Sequence, residues 1–319
     1  MNIRQLRTLC EIVDRGLHIT DAARATARSQ SSVTRQLQLL EDEIGLELFA
    51  RKGNRLQGIT PHGQEILDIA RRIIRDAESI HRIGRNAAQD ERGSLTIATT
   101  NFQAKYVLPP AISKFISRYS DVNLSLRQGT PAECFDLVAS GKTDMAICAE
   151  GSLHEGLIAL PCYRLYRSVM TPPGHPLLRA KRLTLEALAE YPLITYDESF
   201  SGSSIVNRTF SDHGLRPKIV LSVVDADVSK IYVGRGLGIA IAASVAFNAK
   251  QDVGLRCVDA RHLFKPSDVS IVLRRHSHLR EYMYDFMTMF APKLSSSRIK
   301  DAIFRKDPSP LPRSNLPEL

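Results

Sequence analysis

Residues 20–59 read TDAARATARSQSSVTRQLQLLEDEIGLELFARKGNRLQGI, and their order decides the first part of the fold. A short helix over 21–27, a turn at Arg28-Ser29, a second helix over 30–44 and a basic hairpin over 48–59 follow one another as in a winged helix-turn-helix. In the second helix Val33, Leu37 and Leu40 recur at spacings of four and three and face inward, leaving Gln30, Ser31, Ser32, Thr34, Arg35 and Gln38 on the other faces. In a major groove Gln pairs with adenine edges, Arg with guanine, and Ser or Thr with either. Arg28 and Ser29 lie at the helix N-terminus, where a phosphate is favoured. The hairpin sets Arg51, Lys52 and Arg55 around Gly53, as a wing gripping a nucleic-acid backbone requires. A polar helix face or a basic turn taken singly is usually just solvated surface. Their order and spacing point to double-stranded DNA as the partner.

Composition agrees with this reading without deciding it. A chain of 319 residues, 43% apolar, can bury two or three domain cores. The net charge of +9 is not concentrated in the DNA-binding segment, since residues 1–92 hold 15 Lys and Arg against 13 Asp and Glu, and the rest hold 28 against 21. The local cations therefore matter more than the total. Cys10, Cys134, Cys148, Cys162 and Cys257 are scattered and odd in number, which suggests buried thiols rather than a disulfide framework or a zinc site. The nine histidines, His18, His62, His154 and His175 among them, show no metal spacing, and no Ser-His-Asp or Cys-His arrangement stands out. Gly234, Gly236 and Gly238 form a G-x-G-x-G at a helix-to-strand turn, the reverse of a dinucleotide motif, and read as helix capping. No cofactor, metal or catalytic group is expected. Met1-Asn2-Ile3-Arg4 leads straight into an amphipathic helix, and the longest apolar run, 236–247, is too short to span a bilayer; the expectation is a cytoplasmic protein with no membrane partner.

A long helix follows over 61–92, opened by Thr60 as N-cap and Pro61 at the first position. Ile66, Ala70, Ile73, Ala77, Ile80, Gly84 and Ala87 alternate at four and three, a coiled-coil seam that predicts a homodimer; packing of the helix on its own domain is the competing reading. From Ser94 strands and helices alternate, with strands at 94–99, 122–127 and 144–148 and helices at 103–118 and 131–140. A second set has strands at 193–196, 219–223 and 238–242 and helices at 203–213, 225–234 and 244–250, before a return through 270–273 and a final helix over 278–292. These predict parallel, doubly wound sheets with a cleft at the carboxyl ends of the strands. Three hydroxyl-rich segments lie where strands give way to helices: Thr99-Thr100-Asn101-Phe102-Gln103, Gly129-Thr130, and Ser199 to Ser204 including Ser201, Gly202 and Ser203. Capping explains any one of them; together they form a candidate small-anion pocket. The tail over 295–319 carries Pro308, Pro310, Pro312 and Pro317 and reads as largely disordered.

The run Leu6, Ala22-Ala23, Ser29-Gln30-Ser31-Ser32-Val33-Thr34, Leu40-Glu41, Gly45, Leu48-Phe49-Ala50-Arg51, Thr60-Pro61 and Gly63 resembles the N-terminus of LysR-type transcriptional regulators. Further on, Ile97-Ala98-Thr99-Thr100, Gln128-Gly129-Thr130-Pro131, Leu160-Pro161-Cys162-Tyr163, Asp225-Ala226-Asp227-Val228 and Tyr282-Met283-Tyr284-Asp285-Phe286 resemble the cysteine-regulon branch of that family. The resemblance covers roughly residues 1–293. It implies an α/β chain with an N-terminal winged helix-turn-helix (1–60), a linker dimerisation helix (61–92) and a C-terminal two-lobed effector domain like periplasmic binding proteins (93–294), with lobe I about 93–165 and 268–294 and lobe II about 166–267. It also implies promoter DNA, a sulfur-related anion or acetylserine-like effector, a dimer assembling to a tetramer, and RNA polymerase as partners. Ala149 and Asp227 join the pocket through the resemblance. Phe102 stands where the branch has Thr, Ala149 where it often has Thr, Leu165 where it has Trp and Ser201 where it has Thr, so a compact oxyanion loses partners while a ligand with an apolar portion gains surface. Thr26 replaces a common Leu. A solute-binding protein has no use for residues 1–60, and an enzyme on this scaffold needs an acid, base or nucleophile in a cleft that offers mostly hydroxyls and amides.

Overall fold

The computed structural model describes residues 1–53, 55–86, 93–149, 151, 153–197, 201–304 and 316–319. Two compact units divide the chain, Met1–Gln89 and Asp90–Leu319. In the first, α1 (Ile3–Asp14), α2 (Ile19–Ala25) and α3 (Gln30–Ile44) pack with a hairpin, β1 (Phe49–Lys52) and β2 (Arg55–Ile59), and with α4 (Pro61–Asn86). Asn2 and Gln5 close a capping box at the start of α1, and Ser29 caps α3 by accepting from Ser32 N at 3.2 Å. The turn after α2 holds Ala27 at φ +52°. Thr26 sends its hydroxyl back to Ala22 O at 2.8 Å, which satisfies the polar group at a position the resemblance gives to Leu. Gly63 has no room for a Cβ, which would lie 2.2 Å from Leu48 O; the first turn of α4 therefore seats directly on the base of the wing.

The first turns of α4 correct the seam. Leu67 and Ala70 are buried in the core of this unit, with Ile66, Ile73 and Ile74 packed against it, and Arg71 pairs with Asp14 of α1. The competing reading thus holds for Ile66, Ala70 and Ile73. Among the described side chains of α4, the large apolar ones left in solvent are Ile69 and Ile80, 50% and 69% exposed. Ala77 is half-buried, and Gly84 and Ala87 lie outside the described side chains.

The second unit holds two five-stranded sheets. The first has the order β4-β3-β5-β12-β6, from β3 (Gly93–Thr99), β4 (Val122–Gln128), β5 (Met145–Ala149), β6 (Leu157–Leu165) and β12 (Ser267–Arg274). The second has the order β11-β7-β10-β8-β9, from β7 (Arg167–Thr171), β8 (Leu193–Tyr196), β9 (Ile219–Val223), β10 (Ile239–Ala243) and β11 (Arg256–Asp259). Both are mixed rather than purely parallel: β12 runs antiparallel to β5 and β6, and β7 antiparallel to β10 and β11. The chain crosses between sheets twice, from β6 to β7 and from β11 to β12, and the strand entered at each crossing, β7 or β12, is the one that runs against the rest of its sheet. Strands β6, β7 and β11 are absent from the sequence reading. Around the sheets lie α5 (Pro109–Arg118), α6 (Pro131–Ala139), α7 (Leu185–Ala189), α8 (Ser201–Asp212), α9 (Ala226–Gly234), α10 (Glu281–Phe290) and α11 (Ser296–Phe304).

Four further corrections concern helices. The expected 103–118 helix is broken: a π-helical turn, Gln103–Val107, precedes α5, whose N1 residue is Pro109. The expected helix over 244–250 is only a 3₁₀ turn, Ser244–Ala246. The final helix over 278–292 is shorter, and Arg280 takes its N-cap position. Part of the supposed tail is ordered, since α11 buries Ile299, Ala302 and Ile303 in the first sheet's core; Leu319 packs against that core, with its N–H donated to Arg164 O at 3.0 Å. Pro308, Pro310 and Pro312 lie outside the described residues. The glycine turn after α9 is capping, as expected: Gly236 has φ +76° and Leu237 N donates to Tyr232 O at 3.1 Å.

Candidate functional site

Two groups of residues carry chemistry, one in each unit. On α3, Val33, Leu37 and Leu40 are fully buried, which turns Gln30, Ser31, Arg35 and Gln38 out to solvent; Arg28, Ser32 and Thr34 are half-buried beside them. Ser29 is exposed, but its hydroxyl is engaged by the cap and by Ser31 at 3.0 Å. In the wing Lys52 and Arg55 are exposed, while Arg51 Nη2 donates to Glu41 Oε2 at 2.6 Å. Glu41 Oε1 also accepts from Leu48 N at 2.9 Å. Glu41, on the last turn of α3, therefore fixes where the wing begins, and Arg51 is tied to the helix as well as facing outward. The sequence reading missed this tie.

In the second unit a cavity opens between the sheets, with about 70 Å³ available to the centres of water-sized molecules, several times the roughly 10–15 Å³ that one water needs. From the first sheet's side come Thr100, Phe102, Gln103, Pro131 and Ala149, and from the second Tyr196, Gly202, Val224 and Ala243. Leu165, Arg167 and Ser267, at the two crossings, close the floor. The π-helical turn aims Gln103 inward: it is 1% exposed, its Oε1 is buried with no hydrogen-bond partner, and its N–H donates to Thr100 Oγ1 at 3.4 Å. The Tyr196 hydroxyl is likewise buried and unpartnered, and burial raises its pKa well above the phenol range while the Arg167 charge pulls against that. Arg167, 4% exposed, donates from Nη2 to Ser267 Oγ at 2.7 Å and from Nη1 to Leu165 O at 3.5 Å.

Of the residues proposed from sequence, Thr100, Phe102, Gln103, Ala149 and Gly202 line this cavity. Thr99 spends its hydroxyl on Ile147 O at 2.7 Å inside the sheet. Thr130 and Gly129 form the start of α6, where Thr130 and Glu133 cap each other. Ser203 is buried and accepts from Asn207 Nδ2 at 3.4 Å; the side chain of Ser201 lies outside the described ones, as do Ser199 and Phe200. Asn101 and Asp227 do something else, because they clasp the lobes beside the cavity. Asn101 Nδ2 donates to Asp225 Oδ2 at 2.6 Å, and Lys105 and Tyr106 both reach Asp227. Lys230, 2.9 Å from Asp252, stands over the Tyr106 ring. Pro131, Arg167, Tyr196, Ser267, Val224 and Ala243 were not proposed as pocket residues, and Leu165 entered only through the resemblance. The two-residue spacing of Leu165 and Arg167 was the available signal, and it was invisible without β6 and β7. Among the described residues no group of three or more His, Cys, Asp and Glu could hold a metal, and no helix is long and apolar enough to cross a membrane.

Residues 3–64 match the family described as bacterial regulatory helix-turn-helix protein, lysR family, and residues 88–295 match the LysR substrate binding domain. The chain is 43% identical over 303 residues to the transcriptional regulator CysB of Haemophilus influenzae, covering 95% of this chain and 94% of that one. It is 39% identical over 300 residues to the regulator SsuR of Burkholderia cenocepacia, covering 94% and 97%. The solved cofactor-binding domain of the Cbl transcriptional regulator superposes with a TM-score of 0.64 at 38% identity, covering 67% of this chain and 95% of that domain.

Proposed function

Because the chain belongs to the LysR family of bacterial helix-turn-helix transcriptional regulators, we propose that it binds promoter DNA through α3 and the wing as a cytoplasmic homo-oligomer, and that a small effector in the cavity of the second unit sets its output. The effector reading rests on one observation: the cavity is walled by residues from both sheets and floored by both crossings. A ligand there touches both lobes at once and so binds one lobe arrangement better than another, the differential affinity a switch requires. Among the described lining residues are hydroxyls, an amide and a guanidinium, with no carboxylate, histidine or cysteine to act as acid, base or nucleophile. Binding, not turnover, is the chemistry they suit.

The likeness to CysB, SsuR and Cbl supports control of sulfur assimilation or organosulfur utilisation, with a sulfur-related anion or acetylserine-like effector. Dimers through α4, pairing to tetramers, and contact with RNA polymerase complete the proposal. The test starts from operator DNA selected out of random sequence by the purified full chain. Gel shifts on that DNA with sulfate, thiosulfate, alkanesulfonates and acetylserine should reveal a ligand that alters mobility or affinity, and Arg35→Ala should relax sequence discrimination by about 1–3 kcal/mol. Failure of the protein to select any sequence, or an Arg35→Ala variant that discriminates as wild type does, would refute the DNA assignment.

A further inference from the structure

The cavity lining is chemically mixed. Phe102, Leu165, Val224 and Ala243 give it apolar surface, and Phe102 is held in a tilted stack on Tyr106 with centroids 5.1 Å apart. Arg167 and Tyr196 converge on the first turn of α8. A Cβ built on Gly202 would stand 3.6 Å from both Arg167 Nη2 and Tyr196 Cδ2, which locates the guanidinium and the phenol ring beside that turn. Helix α8 has 12 residues, and its first N–H groups lack intrahelical partners. The dipole adds partial positive charge at the same point. Arg167 is the one charged residue among those described around the cavity.

We propose that Arg167 is the residue that takes the charged end of the effector, with the Tyr196 hydroxyl and the N-terminal turn of α8 completing an anion subsite, and that the ligand class is a small organic monoanion with an apolar portion lying against Phe102. The proposal deepens, and rests on, the reading of this cavity as the effector site. The ligand's position follows from the chemistry. Burial keeps the Tyr196 phenol protonated, so it donates. The unpartnered Gln103 Oε1 on the facing side accepts a hydroxyl or N–H from the ligand rather than its anionic head. Arg167 opens β7, and it donates hydrogen bonds to the last residue of β6 and the first of β12. An anion drawn to the guanidinium is therefore bound at the point where both crossings meet, and not at either lobe alone. Inorganic sulfate meets the guanidinium but leaves the apolar lining bare, which loses the surface burial a short alkyl chain provides.

Titration calorimetry of the full-length protein with 1-butanesulfonate, butyrate, inorganic sulfate and the neutral butane-1-sulfonamide tests this. The expected order is tightest binding of a butyl anion, with sulfate and the sulfonamide each at least about tenfold weaker. Arg167→Met should lose at least tenfold for the anion and little for the sulfonamide. Gly202→Ala, whose methyl meets its neighbours only at van der Waals distance, should fold normally and weaken the same ligand by narrowing the subsite. Retained binding of selected operator DNA, together with native circular dichroism, certifies that each variant is folded. Butyl-anion affinity within twofold of wild type in Gly202→Ala and Arg167→Met, with Thr100→Val still losing it, overturns the Arg167 assignment and leaves the cavity as effector site. Wild-type protein that binds none of the anions overturns both.

Discussion

Replacing Asn101 by Ala and Tyr106 by Phe together should open the two lobes in the absence of ligand. Asn101 donates to the Asp225 carboxylate at 2.6 Å and Tyr106 donates to that of Asp227, both in part-buried settings and both across the lobes. Hydrogen bonds to a charged acceptor contribute about 1.5–3 kcal/mol each, and partial exposure takes these toward the lower end. The Lys105 to Asp227 ion pair, with side chains 45% and 36% exposed, adds little by comparison. Acting on the lobe I partners leaves Asp225 free to cap α9, where its Oδ1 accepts from Asp227 N at 2.8 Å, so helix stability is not confounded with lobe closure. A combined loss of about 2–4 kcal/mol shifts the closed-to-open ratio by roughly 30-fold to 1000-fold. Effector affinity then falls in proportion to the closed population that remains. Hydrogen exchange of the 225–234 segment without ligand, alongside calorimetry with the effector, measures both effects. Exchange and affinity both matching wild type would refute the idea that these bonds hold the lobes together.

Glu41→Ala should destabilise the N-terminal unit by about 2–4 kcal/mol, since it strands the Leu48 N–H as well as breaking the Arg51 pair, and should weaken operator binding more than Arg51→Ala does; denaturant melts beside gel shifts check the order of the two variants. Gly63→Ala forces a Cβ to within 2.2 Å of Leu48 O, so urea unfolding should show a loss above about 2 kcal/mol, and wild-type stability would mean that α4 is not seated on the wing as described. Ile69→Asp with Ile80→Asp, at exposed apolar positions of α4, should dissociate the oligomer in analytical ultracentrifugation without lowering the stability of the N-terminal unit, whereas Ile73→Asp should destabilise that unit because Ile73 packs against its core.

The parts of the fold legible in the sequence were those whose pattern is local. Helix α3 was bounded correctly at both ends because Ser29 caps it and Gly45 closes it at φ +74°. Strand β5 was legible as a short apolar run, and β4 by the alternation of Val122, Leu124 and Leu126 with polar residues. Strands β6 and β7 were not: Leu157–Leu165 is interrupted by Pro161, and only one residue separates it from Arg167–Thr171, so two strands of different sheets read as one irregular stretch. The seam on α4 misled because the four-and-three spacing that makes a coiled coil also fits a helix laid on its own domain; Ile66, Ala70 and Ile73 took the second option. In the cavity, hydroxyls and amides at strand ends could be seen from the alternation of elements. Arg167 could not, since a lone arginine acquires its meaning only when the two crossings bring Leu165, Ser267 and Gly202 around it.

The most direct test of the account is the response of one operator fragment to effector, read as gel mobility and affinity, in Thr100→Val beside wild type. Thr100 lines the cavity in the second unit, while the groups proposed for DNA lie on α3 and the wing in the first. Thr100→Val should bind the operator as tightly as wild type, and adding the effector should no longer change its mobility. An undiminished effector response in Thr100→Val would contradict it, because the signal would then arise outside this cavity.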